Sequence, residues 1–202
     1  WVMTDDMYEY LVFDGKEYDT LANLETQIYE RVLTINGDSK AYAITGWRIG
    51  YAAGKKELIA AMNKIQSQST SNTCTISQYA ALEAIAGPKA EVQRMRQEFQ
   101  QRRDIVVKLL NAIEGISCML PDGAFYTYPN CHGLINKVTP QGKILTNDQE
   151  VAKYLLEEAK VAVVAGEAFG LSPYFRLSYA SSLAVLEEAC HRIKLACEKL
   201  KG

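Results

Sequence analysis

Three short apolar runs open the chain, each stopped by polar residues or glycine. WVMTDDMY places apolar residues ahead of two aspartates and reads as a short buried strand running into polar residues. FDGKEYDT has the composition of a turn. RVLTING is apolar and β-branched and breaks at Asn36-Gly37, which predicts a second strand ending just before Lys40. RIGYAAG predicts a third. The period then changes: in KKELIAAMNKIQSQ the apolar residues Leu58, Ile59, Met62 and Ile65 recur at helical spacing. SQYAALEAIAG predicts another helix, closed by Gly87-Pro88.

A longer helical pattern runs from about Ala90 to Ile113, with Met95, Phe99, Ile105, Val106, Leu109 and Leu110 among many Arg and Gln. Arg94, Arg96, Arg102 and Arg103 read as its solvated face. Beyond it, strands and helices alternate: ISCMLP, GAFYTYP, the helix DQEVAKYLLEEA, then VAVVAG, YFRLSYA and a final helix LAVLEEACHRIKLACEKL. This order predicts an α/β protein: an α/β body over residues 1–90, a linking helix over 91–113, and a smaller α+β domain over 114–202.

Composition narrows the function classes. The chain has 202 residues, enough to bury a core, and its 48% hydrophobic and 23% charged content is that of a globular protein. A formal net charge of −2 gives no global electrostatic case for nucleic acid or an anionic membrane. No apolar run is long enough to span a bilayer. The five cysteines are odd in number, contain no CxxC pair and read as free thiols of a cytoplasmic protein. The chain opens without an initiator Met, inside what reads as a strand, and is expected to be part of a longer protein.

The candidate chemistry lies in SKAYAITGWRIGYAAG. Lys40 follows a predicted strand, and in open α/β sheets ligand sites gather at the carboxyl ends of strands. Asp5 also sits late in a predicted strand. If the two strands run parallel and adjacent, Asp5 and Lys40 face one crevice. A nucleophilic lysine must be partly desolvated, and small and aromatic neighbours provide that. Arg48 offers a rigid fork of donors suited to phosphate or carboxylate, and Gly46 and Gly50 would let it and the backbone approach an anion closely. On composition and spacing alone, Lys40 and Arg48 read more readily as surface charges beside a hairpin.

The same stretch closely resembles the cofactor-lysine signature of class I aminotransferases that use pyridoxal 5'-phosphate: S-K, a small and aromatic stretch, then T-G-x-R-x-G. TDDMYE resembles the family's D-x-x-Y strand, PDGAFYTYP its G-A-F-Y segment, and FRLSYA the segment with its carboxylate-binding arginine. The wording is most similar to bacterial aspartate aminotransferases of the subgroup that includes prephenate-using enzymes. The resemblance implies the type I fold of pyridoxal-phosphate-dependent transferases, here part of the large-domain mixed sheet plus the smaller C-terminal domain.

It also implies roles. Lys40 would carry the cofactor covalently and move the substrate proton. Arg48 would hold the cofactor phosphate, Asp5 would pair with the pyridine nitrogen, and Tyr8 would donate to the ring oxygen. Arg176 would fork onto the substrate α-carboxylate. The D-x-x-Y spacing selects Asp5 over Asp6. Asp38 stands where an apolar or small residue is expected and reads as pointing to solvent. No metal is implied; the partners are amino acids, 2-oxo acids and a second copy of the chain. The family's first half supplies a phosphate loop, a ring-stacking aromatic and the recognition of a distal carboxylate, none of which lies in residues 1–202. The expected reaction is therefore transamination between aspartate or glutamate and a 2-oxo acid, as the C-terminal part of a longer enzyme, with this part alone inactive. Aromatic or prephenate specificity, or an inactive module keeping only fold and dimer contacts, are the alternatives.

Overall fold

The computed structural model describes residues 1–24 and 27–202. The chain forms two compact units, Trp1–Gln97 and Glu98–Gly202. In the first, β1 (Val2–Asp5) is followed by a short helix α1 (Leu21–Leu24), β2 (Val32–Asn36), β3 (Tyr51–Gly54), α2 (Lys56–Ser69) and α3 (Thr75–Ala86). Helix α4 (Ala90–Asn111) begins in the first unit and ends in the second. The unit boundary thus falls inside this helix.

The first unit holds a mixed three-stranded sheet in the order β1-β2-β3. β1 and β2 run parallel, with Val2 opposite Val32 and Asp5 opposite Ile35. β3 returns antiparallel, with Leu33 opposite Gly54 and Asn36 opposite Tyr51. Val32, Thr34 and Ile35 give the central strand the β-branched side chains that suit a pleated, packed surface. Leu11, Phe13, Val32 and Ala81 are buried.

β1 is not the buried strand its sequence suggests. Trp1 and Met3 are 73% and 72% exposed, because among the described residues β1 has β2 as its one strand neighbour. The helices also leave apolar surface uncovered. Ile65 on α2 and Ile76, Tyr79, Leu82 and Ile85 on α3 are exposed. α3 stops at Gly87 as expected, but for a steric reason: its φ is −78°, and a Cβ there would lie 2.5 Å from the Glu83 carbonyl oxygen.

The second unit holds the C-terminal half of α4, β4 (Tyr126–Thr127), α5 (Asp148–Tyr154), β5 (Val164–Ala165), β6 (Phe175–Ser178) and α6 (Leu183–Glu198). Its sheet is antiparallel in the order β4-β6-β5. Leu186, Cys190, Ile193 and Cys197 form the buried stripe of α6, as helical periodicity requires. ISCMLP forms no strand; Ser117 makes one isolated bridge to Asn130. The helix expected over DQEVAKYLLEEA is α-helical to Tyr154 and widens into a π-helical turn over Leu155–Ala159.

Arg103 is not on a solvated face. It is 1% exposed, donating from Nη1 to the Pro121 carbonyl at 2.9 Å and pairing with Asp104 at 2.8 Å. All five cysteines are free thiols. Among the described residues no helix is long and apolar enough to cross a membrane.

Candidate active site

The carboxyl ends of β1 and β2 and the amino end of β3 meet at one edge of the first sheet. The Asp6 amide donates to the Ile35 carbonyl at 2.8 Å, carrying the parallel pairing one residue past β1. Asp5 is therefore held beside the point where β2 turns toward Lys40. Asp5 is exposed and accepts from the Met7 amide at 3.3 Å. Asp6 is buried and accepts from the Tyr18 hydroxyl at 2.9 Å. Burial, then this bond, pushes the Tyr18 phenol up to about 12. One of the adjacent aspartates is thus tied into the fold, while the other faces outward at the strand end. Tyr8, on the turn that follows, is half-buried.

After β2 the chain runs through Asn36, Gly37, Asp38 and Ser39, all buried, to a half-buried Lys40. The Asn36 side chain accepts from the Gly37 amide at 2.7 Å, and the Tyr42 amide donates to the Asp38 carbonyl at 3.0 Å. These bonds fix the turn that presents Lys40. Tyr42 anchors its far side, donating to the Ala84 carbonyl and accepting from Lys89 Nζ at 2.9 Å.

Asp38 does not point to solvent. It is 3% exposed and its Oδ2 has no hydrogen-bond partner. Burial raises its carboxyl above the ordinary value, and Lys89 opposes the shift. Glu9, close enough to feel Asp6 and Asp38, is raised the same way, chiefly by burial.

Arg48 lies three residues before β3, so the antiparallel return brings it to the edge from which Lys40 departs. Its backbone is left-handed, with φ 51°, and the side chain is exposed, with Nη1 donating to the Thr45 carbonyl at 3.0 Å. The Ser77 hydroxyl donates to the Trp47 carbonyl at 2.9 Å and ties this segment to α3. The neighbouring glycines serve the backbone. A Cβ on Gly50 would lie 3.2 Å from the Asn36 carbonyl oxygen, whereas one on Gly46 meets nothing within 4 Å.

Arg176 belongs to the second unit, on β6, opposite Val164 of β5. It is half-buried, and aromatic faces flank it: its guanidinium carbon lies 4.5 Å from the ring centroids of both Tyr126 and Phe169. Stacking of this kind leaves the in-plane donor edge of the fork able to bind an anion. Tyr126 and Tyr128 of the GAFYTYP segment are half-buried and stand around this arginine and its loop.

The family model for aminotransferase class I and II matches residues 1–193 of this chain. The chain belongs to that family. As a class I/II aminotransferase, it is 56% identical over 200 residues to the aspartate/prephenate aminotransferase of Cereibacter sphaeroides, covering 99% of this chain and 50% of the relative. It is 54% identical to the aspartate aminotransferase of Rhizobium meliloti, covering 99% and 49%. A crystal structure of the Rhizobium meliloti aspartate aminotransferase superposes with a TM-score of 0.97, covering 100% of this chain and 50% of that one. An aromatic aminotransferase from Pyrococcus horikoshii superposes at 0.86 with 35% identity, covering 97% and 50%. The chain spans about half the length of these relatives. The fold is that of the type I pyridoxal-phosphate-dependent transferases, represented in part.

Pyridoxal 5'-phosphate is the cofactor of this aminotransferase family. The donor set at the sheet edge fits it: an amine, an outward-facing carboxylate, a phenol and a guanidinium, from Lys40, Asp5, Tyr8 and Arg48. The close approach of Gly37 to Gly50 keeps the Lys40 turn and the Arg48 turn side by side.

Proposed function

We propose that this chain is the C-terminal part of an aspartate-type aminotransferase. The first unit would be part of the large cofactor domain and the second the small domain. The reaction would move the amino group of aspartate or glutamate to a 2-oxo acid in two half-reactions. The observation that carries the reading is the parallel register of β1 and β2, which sets Asp5 beside Ile35, five residues before Lys40.

When bound, pyridoxal phosphate would draw electrons from the substrate Cα and keep the amino group between the half-reactions. The rest falls to the chain's own residues. Lys40 Nζ anchors the cofactor and, once released, takes the proton from the substrate Cα. Asp5 holds a proton at the pyridine nitrogen by charge pairing. Tyr8 donates a hydrogen bond to the ring oxygen. Arg48 binds the phosphate, for which a guanidinium fork is well matched. Arg176 binds the substrate α-carboxylate and orients Cα.

The uncovered apolar surface on β1, α2 and α3 is far more than isolated surface residues require. In this reading the first half of the enzyme and a second subunit of a cytoplasmic homodimer cover it. Aspartate is favoured as amino donor by the names of the 54–56% identical relatives. The likeness to an aromatic aminotransferase at 35% identity supports aromatic specificity as the second reading.

An absorbance titration tests the reading. The chain, mixed with the first half of the Rhizobium meliloti relative and pyridoxal phosphate, should show a bound-cofactor band that changes on adding aspartate. Lys40→Ala should lack it. A spectrum equal to free pyridoxal phosphate in the wild-type mixture contradicts the proposal.

A further inference from the structure

The loop between β5 and β6 supplies one of the two rings that cover Arg176, and its two ends are held by a single side chain. Asp148, the first residue of α5, is fully buried. Its Oδ2 accepts from the backbone amides of Glu167 at 3.1 Å and Tyr174 at 3.4 Å. Those two residues bracket the loop that carries Phe169. From the opposite side, the Tyr128 hydroxyl donates to the carbonyls of Gly166 at 3.0 Å and Leu171 at 3.2 Å. The Tyr128 ring meets Phe169 edge-on at 6.2 Å. No room is left for adjustment: a Cβ on Gly166 would lie 2.1 Å from the Leu171 carbonyl oxygen.

We propose that Asp148 is a positioning residue for the Arg176 site: by clamping both ends of the 167–174 loop, it sets the Phe169 ring over the guanidinium and so fixes where the arginine fork points. The inference rests on the reading of Arg176 as the carboxylate site for its purpose, but not for its geometry. A carboxylate suits this task better than a neutral group. It accepts two amides on one oxygen, and charge-assisted bonds are shorter and stronger than neutral ones. Phe169 and Tyr126 each approach the guanidinium carbon to 4.5 Å, and a fork held by two ring contacts loses less freedom when it binds a carboxylate. Asp148 touches neither substrate nor cofactor; it acts through Phe169. The remaining Asp148 oxygen, Oδ1, is buried and has no hydrogen-bond partner.

The test is a nuclear magnetic resonance experiment on the 202-residue chain. Two rings stacked on the guanidinium should shift the Arg176 Nε–H signal upfield by ring current. Asp148→Asn, which keeps the shape but not the charge, should return that signal toward the position of an unstacked arginine. The amides of α6 should stay in place, as should the melting transition of the second unit. Phe169→Leu should have the same effect on the Arg176 signal, and Tyr128→Phe a smaller one. An Arg176 signal that is unchanged in Asp148→Asn but moves in Phe169→Leu overturns the proposal. So does collapse of the second unit in Asp148→Asn, which would make the residue a folding element. A separate titration with L-aspartate, on the chain completed with the first half of the Rhizobium meliloti relative and pyridoxal phosphate, addresses the underlying reading: the wild-type Arg176 signal should move, and Asp148→Asn should bind roughly tenfold more weakly. A silent wild-type signal in that titration removes the carboxylate reading while leaving the clamp to be decided by the first comparison.

Discussion

Gly37 and Gly50 meet across the end of the first sheet so closely that a Cβ on Gly37 would lie 3.1 Å from the Gly50 Cα and 3.3 Å from Met7 Sδ. This contact joins the turn that presents Lys40 to the turn that presents Arg48. Gly37→Ala would push the two apart. The expected cost is about 1–3 kcal/mol, typical of overpacking in a tight site. Urea unfolding followed by tyrosine fluorescence measures it, and an unchanged midpoint would contradict the close packing.

The two adjacent aspartates should separate by assay. Asp6 is buried and accepts from the hydroxyl of the more exposed Tyr18, so Asp6→Ala removes a buried carboxylate and its bond from the fold. It should cost about 1–3 kcal/mol of stability. Asp5 is exposed, so Asp5→Ala should stay within about 0.5 kcal/mol of wild type yet weaken cofactor retention in the completed enzyme. Parallel urea melts decide between them. Reversed sensitivities would assign the cofactor role to Asp6.

The strand, turn and helix signals of the first unit are local and therefore legible: β2 ends at Asn36, at the Asn36-Gly37 break, and α3 ends at Ala86, just before Gly87. The parallel pairing of β1 with β2 is not legible locally, because no local pattern fixes the direction of two distant strands. Asp38 stands out in the sequence, but its burial is set by the folded chain and not by its immediate neighbours. Arg103 differs from its expectation for the same reason: a run of arginines has the pattern of a solvated face, yet Pro121 and Asp104 bind this one. In the second unit, ISCMLP has strand composition but makes one bridge, and the clamp by Asp148 links residues 19 and 26 positions apart. Periodicity carries no trace of such contacts.

Asp38 should make the protein respond to pH in an unusual direction. Its folded-state value lies above the ordinary 3.8, so the folded chain keeps a proton that the unfolded chain releases. That stabilisation is fully present below the unfolded value and is lost as pH rises through the folded one. Glu9, Tyr10, Tyr51 and Lys89 are the titratable groups coupled to it; Lys89 is the one that favours its charge. Asp38→Asn should therefore raise stability at pH 7, by about 1–3 kcal/mol, and flatten the decline above the ordinary carboxylate range. Glu150 has the opposite sign. Bonds from Thr146 and Lys143 hold it at about 2, so its contribution is present above the unfolded value and disappears as pH falls toward 2. Thermal melts across pH separate the two. A destabilised Asp38→Asn at pH 7 would contradict the account of the buried carboxyl.

Arg176 should be sensitive to shape as well as charge. In the completed enzyme, Arg176→Ala should lower kcat/KM for amino-acid substrates by an amount equivalent to about 2–5 kcal/mol. Arg176→Lys keeps the charge but neither the fork nor the guanidinium contacts with the Tyr126 and Phe169 rings, so it too should be impaired. Steady-state kinetics with aspartate and 2-oxoglutarate measures both. Values within twofold of wild type for both variants would make the residue structural.

The central claim is that Lys40, presented at the end of β2 beside Asp5, is the lysine that carries the cofactor. Borohydride reduction followed by peptide mapping tests it most directly. The chain is mixed with the first half of the Rhizobium meliloti relative and pyridoxal phosphate, reduced, digested and analysed by mass spectrometry. The account predicts one dominant phosphopyridoxyl label, on Lys40, and its loss in Lys40→Ala. A label concentrated on another lysine, or spread evenly over exposed ones such as Lys55 and Lys56, would contradict it.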